Sequence, residues 1–145
     1  MAGIYIHIPF CKKLCSFCPY NKVKYDEILI NKYIDALLNE IDNVAKQINT
    51  KKEITSVYFG GGSPALAGKR LIEITSKIKE HFDVKGNIGI ELHPNNINDE
   101  LLDELERAGF DMVSIGIKTF QTKCLNSLKR EIIEKQSFIK QVKSK

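Results

Sequence analysis

The chain has 145 residues, of which 43% are hydrophobic and 28% are charged, which is ordinary for a globular protein of one domain. No apolar run approaches the roughly 20 residues that cross a bilayer, and no basic region followed by an apolar one marks a secretory signal. We therefore expect a cytoplasmic protein with no membrane partner. In that reducing compartment, clustered cysteines bind metals or act in catalysis rather than forming disulfides.

The net charge of +4 is concentrated near the C-terminus. Residues 121–145 carry seven Lys or Arg and two acidic residues, whereas the rest of the chain is close to neutral. A basic segment of this kind is more typical of a solvated end than of a nucleic-acid-binding arm, so we predict no nucleic-acid partner. We divide the chain into a core domain over residues 1–130 and a basic tail over residues 131–145.

The pattern along the first half of the chain alternates strands with helices. The apolar run 4–8 predicts a first strand, and apolar residues at helical spacing over 26–48 predict a first helix. The β-branched and aromatic run 54–59 predicts a second strand, which ends at the segment Gly60-Gly61-Gly62-Ser63-Pro64. Apolar spacing over 69–82 then predicts a second helix.

The same alternation continues through the second half. Residues 88–92 predict a third strand, followed by a helix with Asn98 as its N-cap and Gly109 as its C-cap. Residues 112–117 predict a fourth strand, and residues 121–129 begin a fourth helix. Four strand-helix pairs predict an α/β fold, a parallel sheet with helices packed outside it and right-handed crossovers.

Three cysteines with the spacing C-x3-C-x2-C follow the first strand, between Pro9 and Pro19: Cys11, Cys15 and Cys18. Three thiolates cannot complete an ordinary four-ligand site, but they can hold a [4Fe-4S] cube and leave one iron open for a substrate or cofactor. Unligated core thiols are one alternative. A zinc site completed by His7 is another, although structural zinc usually takes two separated ligand pairs. Cys124 lies far along the chain, and we expect it to be a core or surface thiol.

Ligands of parallel α/β sheets bind at the carboxyl ends of the strands. The cysteine loop, the glycine run, Glu91 and Lys118 all fall at such ends. The glycines let backbone groups approach a ligand without a Cβ in the way, unless they form only a tight turn. We expect the strand of Glu91 to be buried on both faces, so its carboxylate needs a partner such as a ribose hydroxyl or an ammonium group. The alternative is a strand-end acid that reaches solvent.

Three segments carry a resemblance to a known family. Residues 5–18, YIHIPFCKKLCSFC, look like the start of a radical S-adenosylmethionine enzyme of the group that contains oxygen-independent coproporphyrinogen III oxidase and its heme-chaperone relatives. Residues 59–64, FGGGSP, resemble that group's F-G-G-G-T-P, and residues 109–117, GFDMVSIGI, resemble its G-x-x-R-x-S-x-G-V. The likeness covers roughly residues 3–130.

The resemblance implies a partial TIM-like barrel of about six βα units, of which about four are present here. It implies that the three cysteines hold a [4Fe-4S] cluster whose open iron binds S-adenosylmethionine. Further cofactor contacts are implied at these residues: Tyr5, Phe17, Gly61, Gly62, Ser63, Glu91 and Arg130. Reductive cleavage of S-adenosylmethionine would then give a 5′-deoxyadenosyl radical. The implied partners are a small-molecule substrate, such as a tetrapyrrole, and an electron donor, such as flavodoxin or ferredoxin.

The chain departs from the group's pattern in three ways. Tyr20 stands where the oxidase has a further cysteine, which favours a relative of the oxidase, and Lys118 stands where the group usually has Gln. We also expect the chain to be a truncated version of a longer enzyme. The alternative function is a heme chaperone-like or cluster-binding fragment without turnover. His7 and His93 are its candidate heme ligands, although both are more typical of structural histidines.

Overall fold

The computed structural model describes residues 2–48, 53–128 and 139. The strands of these residues are β1 (Ala2–Ile8), β2 (Phe10–Cys11), β3 (Val23–Lys24), β4 (Glu53–Gly61), β5 (Asp83–Leu92) and β6 (Met112–Ile115). Their α-helices are α1 (Glu27–Gln47), α2 (Arg70–His81), α3 (Asp99–Ala108) and α4 (Thr122–Ser127). Single 3-10 turns follow β4 and β5, at Pro64–Ala67 and Pro94–Asn96.

The four longer strands form one parallel sheet in the order β1-β4-β5-β6. A helix joins each of these strands to the next, so the strands stand side by side in the order in which the chain makes them. The predicted α/β fold of parallel strand-helix repeats is therefore confirmed. Parallel register also brings the carboxyl ends of all four strands to one edge of the sheet.

Helices α1, α2 and α3 cover one face of the sheet. Alternate residues of the strands point toward these helices and are buried there: Ile6, Ile8, Val57, Phe59, Ile88, Ile90 and Leu92. The helices present their own buried apolar side chains: Ile30, Ile34, Ile41, Leu71, Ile74, Ile78, Leu101 and Leu105. Burial of each such side chain stabilises the fold by about 1.5–3 kcal/mol, so this layer supplies most of the stability.

The opposite face of the sheet is open. Tyr5 is 59% exposed, and Glu91 is exposed although both of its strand neighbours are buried. The expectation that the strand of Glu91 is buried on both faces is therefore wrong. The reason is that a strand's residues alternate between faces, and the described helices cover only one of them.

Local signals in the sequence set the ends of the helices. The side chain of Asp26 accepts a hydrogen bond from the Leu29 amide at 2.8 Å and begins α1. The side chain of Asn98 does the same for the Leu101 amide at 2.8 Å and begins α3. Gly109 ends α3 with a φ of 80°, the left-handed conformation that glycine adopts most easily. Both predicted caps of α3 are confirmed.

The strand bounds differ from those predicted at several ends. β1 begins at Ala2 and β4 runs from Glu53 to Gly61, so both are longer than expected. β5 begins at Asp83, five residues before the predicted start, because the segment Asp83–Asn87 pairs with the start of β4 despite its polar sequence. β6 ends at Ile115 rather than at residue 117. The fourth helix is described only over Thr122–Ser127.

Polar contacts join α1 to α2 on the outside of the helix layer. The Arg70 guanidinium pairs with Asp35 at 2.7 Å, and Asp42 pairs with Lys77 at 3.1 Å and with His81 at 2.6 Å.

Of the helices that the structure describes, none combines the length and apolar character that crossing a membrane needs.

Candidate functional site

The carboxyl edge of the sheet gathers the segments that the sequence singled out. The cysteine loop leaves β1, the glycine run ends β4, and Glu91 lies near the end of β5. In the register of β1 and β4, His7 stands beside Gly60 and Ile8 stands beside Gly61. The first two segments are therefore direct neighbours, as the parallel order requires.

The cysteine loop is pinned at its base by a two-residue parallel pairing that was not predicted from the sequence. Phe10–Cys11 (β2) pairs with Val23–Lys24 (β3). The Val23 amide donates to the carbonyl of Pro9 at 2.8 Å, and the Tyr25 amide donates to the carbonyl of Cys11 at 2.9 Å. The chain between these two points forms a closed loop that carries all three cysteines, each of them half-buried.

Inside the loop, one lysine contacts two of the cysteine residues. The Lys22 ammonium donates to the carbonyl oxygens of Cys15 and Cys18, each at 2.6 Å. The Cys18 amide also donates to the carbonyl of Cys15 at 3.3 Å. Sequence reasoning missed Lys22, because a lysine in a loop carries no signal of the carbonyls that it will reach.

Cys11 is the cysteine nearest the body of the protein. Burial raises the pKa of the Cys11 thiol above its ordinary value, and the neighbouring thiols of Cys18 and Cys15 raise it further, whereas the Lys22 ammonium lowers it. The thiols of Cys15 and Cys18 are thus close enough for their charges to raise the pKa of Cys11. Bringing three thiolates together is unfavourable unless positive charge, such as that of bound iron, is present among them.

The glycine run packs directly against the start of the cysteine loop. A Cβ on Gly62 would lie 2.7 Å from the Cys11 sulfur and 2.5 Å from the Phe10 carbonyl oxygen, so no larger residue fits there without movement. Gly61 has a φ of 118°, a backbone conformation that residues with a side chain rarely adopt. The Gly62 and Ser63 amides donate to the carbonyls of Ile8 and Phe10 at 2.9 and 2.8 Å. These two amides therefore hold the start of the cysteine loop against the end of β4. Because they already donate to these carbonyls, they are not available to donate to a ligand.

Two tyrosines, a glutamate and a histidine line the open face beside the loop. The rings of Tyr5 and Tyr58 are nearly parallel, and their centroids are 6.5 Å apart. The Tyr58 hydroxyl lies 3.4 Å from a carboxylate oxygen of Glu91. Desolvation and the Glu91 carboxylate raise the pKa of Tyr5. Gly60 leaves room for this group, since a Cβ there would meet the Tyr5 hydroxyl at 2.7 Å and Glu91 at 3.3 Å.

His7 sits between the tyrosines and the glycine run. Its Nδ1 lies 3.3 Å from the Tyr5 hydroxyl, and its Nε2 is buried with no hydrogen-bond partner among the described residues. Sequence reasoning placed Tyr5, Glu91 and the glycine run at the site but gave no role to Tyr58.

The remaining predicted residues that the structure describes differ in their exposure. Phe17 is 38% exposed on the cysteine loop, and Ser63 is buried, with its hydroxyl 2.5 Å from the Asn96 side-chain amide. His93 uses its Nδ1 to accept from the Asn95 amide at 3.3 Å, which is the structural role predicted for it. Lys118 is exposed after β6. The prediction for Arg130 falls outside the described residues.

The donor set fits an iron–sulfur cluster. Three thiols lie on one loop that is pinned at its base, and Gly62 lets Cys11 pack against the end of β4 because it has no side chain. Within the described part of the chain, no three His, Cys, Asp or Glu side chains converge as the ligands of a single metal ion do. A cube takes its three thiolates on three separate corners, which spreads them more widely than one ion would.

The chain is an α/β protein with a parallel βα sheet, and its three-cysteine loop follows the first strand at the edge where such sheets bind ligands. The sequence matches the radical SAM superfamily over residues 5–144, and the chain belongs to that family. Oxygen-independent coproporphyrinogen III oxidase of Salmonella typhimurium is 34% identical over 133 residues, which cover 89% of this chain and 29% of the relative. The heme chaperone HemW of Bacillus subtilis is 27% identical over 142 residues, which cover 95% of this chain and 37% of the relative.

Comparison with a solved structure points to the same group of proteins as these sequence relatives. Coproporphyrinogen III oxidase from Escherichia coli, described as a radical SAM enzyme, matches the fold with a TM-score of 0.84 at 31% identity. The match covers 95% of this chain and 32% of that chain. The resemblance predicted from the cysteine and glycine motifs is therefore confirmed. The chain spans about a third of the length of these relatives.

Proposed function

We propose that the chain binds a [4Fe-4S] cluster through Cys11, Cys15 and Cys18 and binds S-adenosylmethionine at the open iron. The observation that carries the proposal is the three-thiol loop braced against Gly62 at the carboxyl end of β1, in a member of the radical SAM superfamily. When bound and reduced, the cluster supplies one electron that cleaves S-adenosylmethionine into methionine and a 5′-deoxyadenosyl radical.

The chain's own residues would orient the cofactor and exclude water. Glu91 offers a carboxylate on the open face to a ribose hydroxyl, while Tyr5 offers an aromatic surface beside it. Phe17, on the cysteine loop, would lie beside the adenine and contribute its backbone carbonyl. Gly61 and Gly62, which have no side chains, would let the backbone lie next to the methionine end. Ser63 and Arg130 complete the set that the family motif predicts.

The substrate class follows from the relatives. We propose a tetrapyrrole substrate or ligand, because the similar proteins are named for coproporphyrinogen and for heme. An electron donor of the flavodoxin or ferredoxin class would reduce the cluster. The oxygen-labile cluster also favours a reducing compartment such as the cytoplasm.

A heme chaperone-like function is the second candidate. Tyr20 occupies the position of the further cysteine of the oxidase, so this chain has no thiol at that position. The Tyr20 side chain is 70% exposed on the loop. Similarity to heme chaperones covers nearly the whole chain, with 32% identity to HemW of Buchnera aphidicola over 99% of it. In this function the chain would bind heme without turning over S-adenosylmethionine.

The cluster is tested by anaerobic reconstitution with iron and sulfide. We expect close to four irons per chain and an EPR signal after dithionite reduction, both of which are lost in Cys15→Ala. Cys124→Ala is the matched control, since it removes the exposed fourth thiol and should keep full iron content. A full cluster in Cys15→Ala would overturn the assignment of ligands.

Turnover is tested by assaying 5′-deoxyadenosine from S-adenosylmethionine and dithionite. Glu91→Gln should weaken S-adenosylmethionine binding about tenfold, equivalent to about 1.4 kcal/mol, and should leave the cluster intact. Glu53→Gln makes the same charge change at the amino end of β4, far from the site, and should bind normally. A loaded protein that forms no 5′-deoxyadenosine would contradict the catalytic proposal, and a specific Soret shift with hemin would then support the second candidate.

A further inference from the structure

Lys22 holds the cysteine loop in a way that neither the motif nor the family match assigns. Its ammonium donates to the carbonyl oxygens of two proposed cluster ligands, Cys15 and Cys18, at 2.6 Å each. Charge-assisted hydrogen bonds of this length are among the stronger ones in proteins. One side chain therefore links the second and third cysteines and sets the distance between their backbones.

The surroundings of Lys22 make its charge effective at this point. The segment from Pro9 to Tyr25 contains four lysines and no Asp or Glu, so no acidic residue of the loop neutralises the ammonium. Lys22 is half-buried, whereas Lys24, two residues further on, is exposed. A partly buried charge is screened less by solvent and salt than an exposed one.

We infer that Lys22 is a positioning residue of the cluster site, which fixes the cysteine loop for cluster binding and makes the bound cluster easier to reduce. The inference rests on the proposed cluster binding. The two hydrogen bonds give the first effect, because they hold the backbones of Cys15 and Cys18 in one arrangement before any iron arrives. The charge gives the second effect, because reduction adds negative charge to a cluster, and nearby positive charge favours that state.

The first effect can be measured without a cluster. Hydrogen–deuterium exchange of the apo chain should be about tenfold faster over residues 12–21 in Lys22→Met than in the wild type. Lys24→Met removes a charge from the same loop without touching the two carbonyls, and its exchange should match the wild type within about twofold. Equal exchange in Lys22→Met and the wild type would overturn the positioning role.

The second effect is measured on the reconstituted protein by an anaerobic redox titration followed by EPR. At a fixed potential, Lys22→Met should show an about tenfold lower ratio of reduced to oxidised cluster, which is about 59 mV for a one-electron couple. Lys22→Arg keeps the charge, and its ratio should stay within about threefold of the wild type. A wild-type potential in fully loaded Lys22→Met, or an equally low potential in Lys22→Arg, would overturn the electrostatic role.

The two readouts separate this inference from the proposed function. A wild-type chain that takes up no iron would contradict the proposed cluster binding. The exchange experiment on the apo chain would still decide whether Lys22 fixes the loop. A loaded chain with unchanged exchange and unchanged potential in Lys22→Met would sink the inference and leave the cluster in place. Should Lys22→Met lose the circular dichroism of the fold, Lys22→Gln, which also removes the charge, takes its place in both experiments beside the same controls.

Discussion

Gly62 shapes the site by having no side chain. It packs where the end of β4 meets the start of the cysteine loop, and its amide donates to the Ile8 carbonyl at 2.9 Å. The space that a Cβ would take is already filled by the Phe10 carbonyl and the Cys11 sulfur. The strand end thus positions the first cysteine through close contact of the Gly62 backbone with Phe10 and Cys11.

We therefore predict that Gly62→Ala displaces Cys11 and lowers cluster occupancy. Overpacking of this kind costs about 1–3 kcal/mol of the free energy of unfolding. Iron content after reconstitution and a thermal melt check the two effects. Gly116→Ala is the matched control, since a Cβ there would lie 3.7 Å from the Leu92 carbonyl oxygen, an ordinary contact. Full iron content in Gly62→Ala, together with an unchanged melt, would contradict the prediction.

At the scale of elements, α1 and α2 are held together by charge on their outer side as well as by their buried apolar residues. Asp42 of α1 meets two basic groups of α2, with His81 Nε2 at 2.6 Å and Lys77 Nζ at 3.1 Å. Hydrogen bonds from His81 and then from Lys77 hold the pKa of the Asp42 carboxyl below its ordinary value. Folding therefore favours the ionised carboxylate.

The stability of the chain should consequently depend on Asp42 at acidic pH. A depressed pKa means that the contribution is fully present above the unfolded pKa of about 3.9 and is lost as pH falls through the folded pKa. Asp42→Asn should lower the melting temperature at neutral pH and flatten the loss of stability below about pH 4. Urea unfolding at several pH values measures this. Glu80 is an exposed acid on α2, and Glu80→Gln should keep the pH dependence of the wild type. The same pH dependence in Asp42→Asn would contradict the prediction.

The elements also show where sequence reasoning succeeds. The helices follow from apolar spacing, and the caps of α3 follow from Asn98 and Gly109, because those signals act locally. The start of β5 and the pairing of β2 with β3 do not, because they depend on a partner strand brought from elsewhere in the chain. The cysteines and glycines were predicted as a site for the same local reason. The contacts of Lys22 were not, because they depend on how the loop closes.

On the scale of the whole molecule, stability and chemistry occupy opposite faces of the sheet. The buried core lies between the sheet and helices α1 to α3, whereas Tyr5, Glu91 and the cysteine loop lie on the open face or at its edge. No cysteine of the described residues belongs to the buried core. The fold of the sheet and its helices therefore does not depend on what the loop binds.

Removal of the cluster should consequently loosen the loop and leave the sheet folded. We expect residues 9–25 to exchange amide hydrogens at least about tenfold faster after chelation of the iron, because local openings need much less free energy than global unfolding. The strands β1, β4 and β5 should keep their protection, since their amides lie within the parallel ladders beside the apolar layer. Exchange mass spectrometry on the reconstituted and chelated protein compares the two regions in one sample. A chain that had never been loaded should match the chelated one. Loss of protection across all strands on chelation would show instead that the cluster, and not the helix-covered face, holds the molecule together.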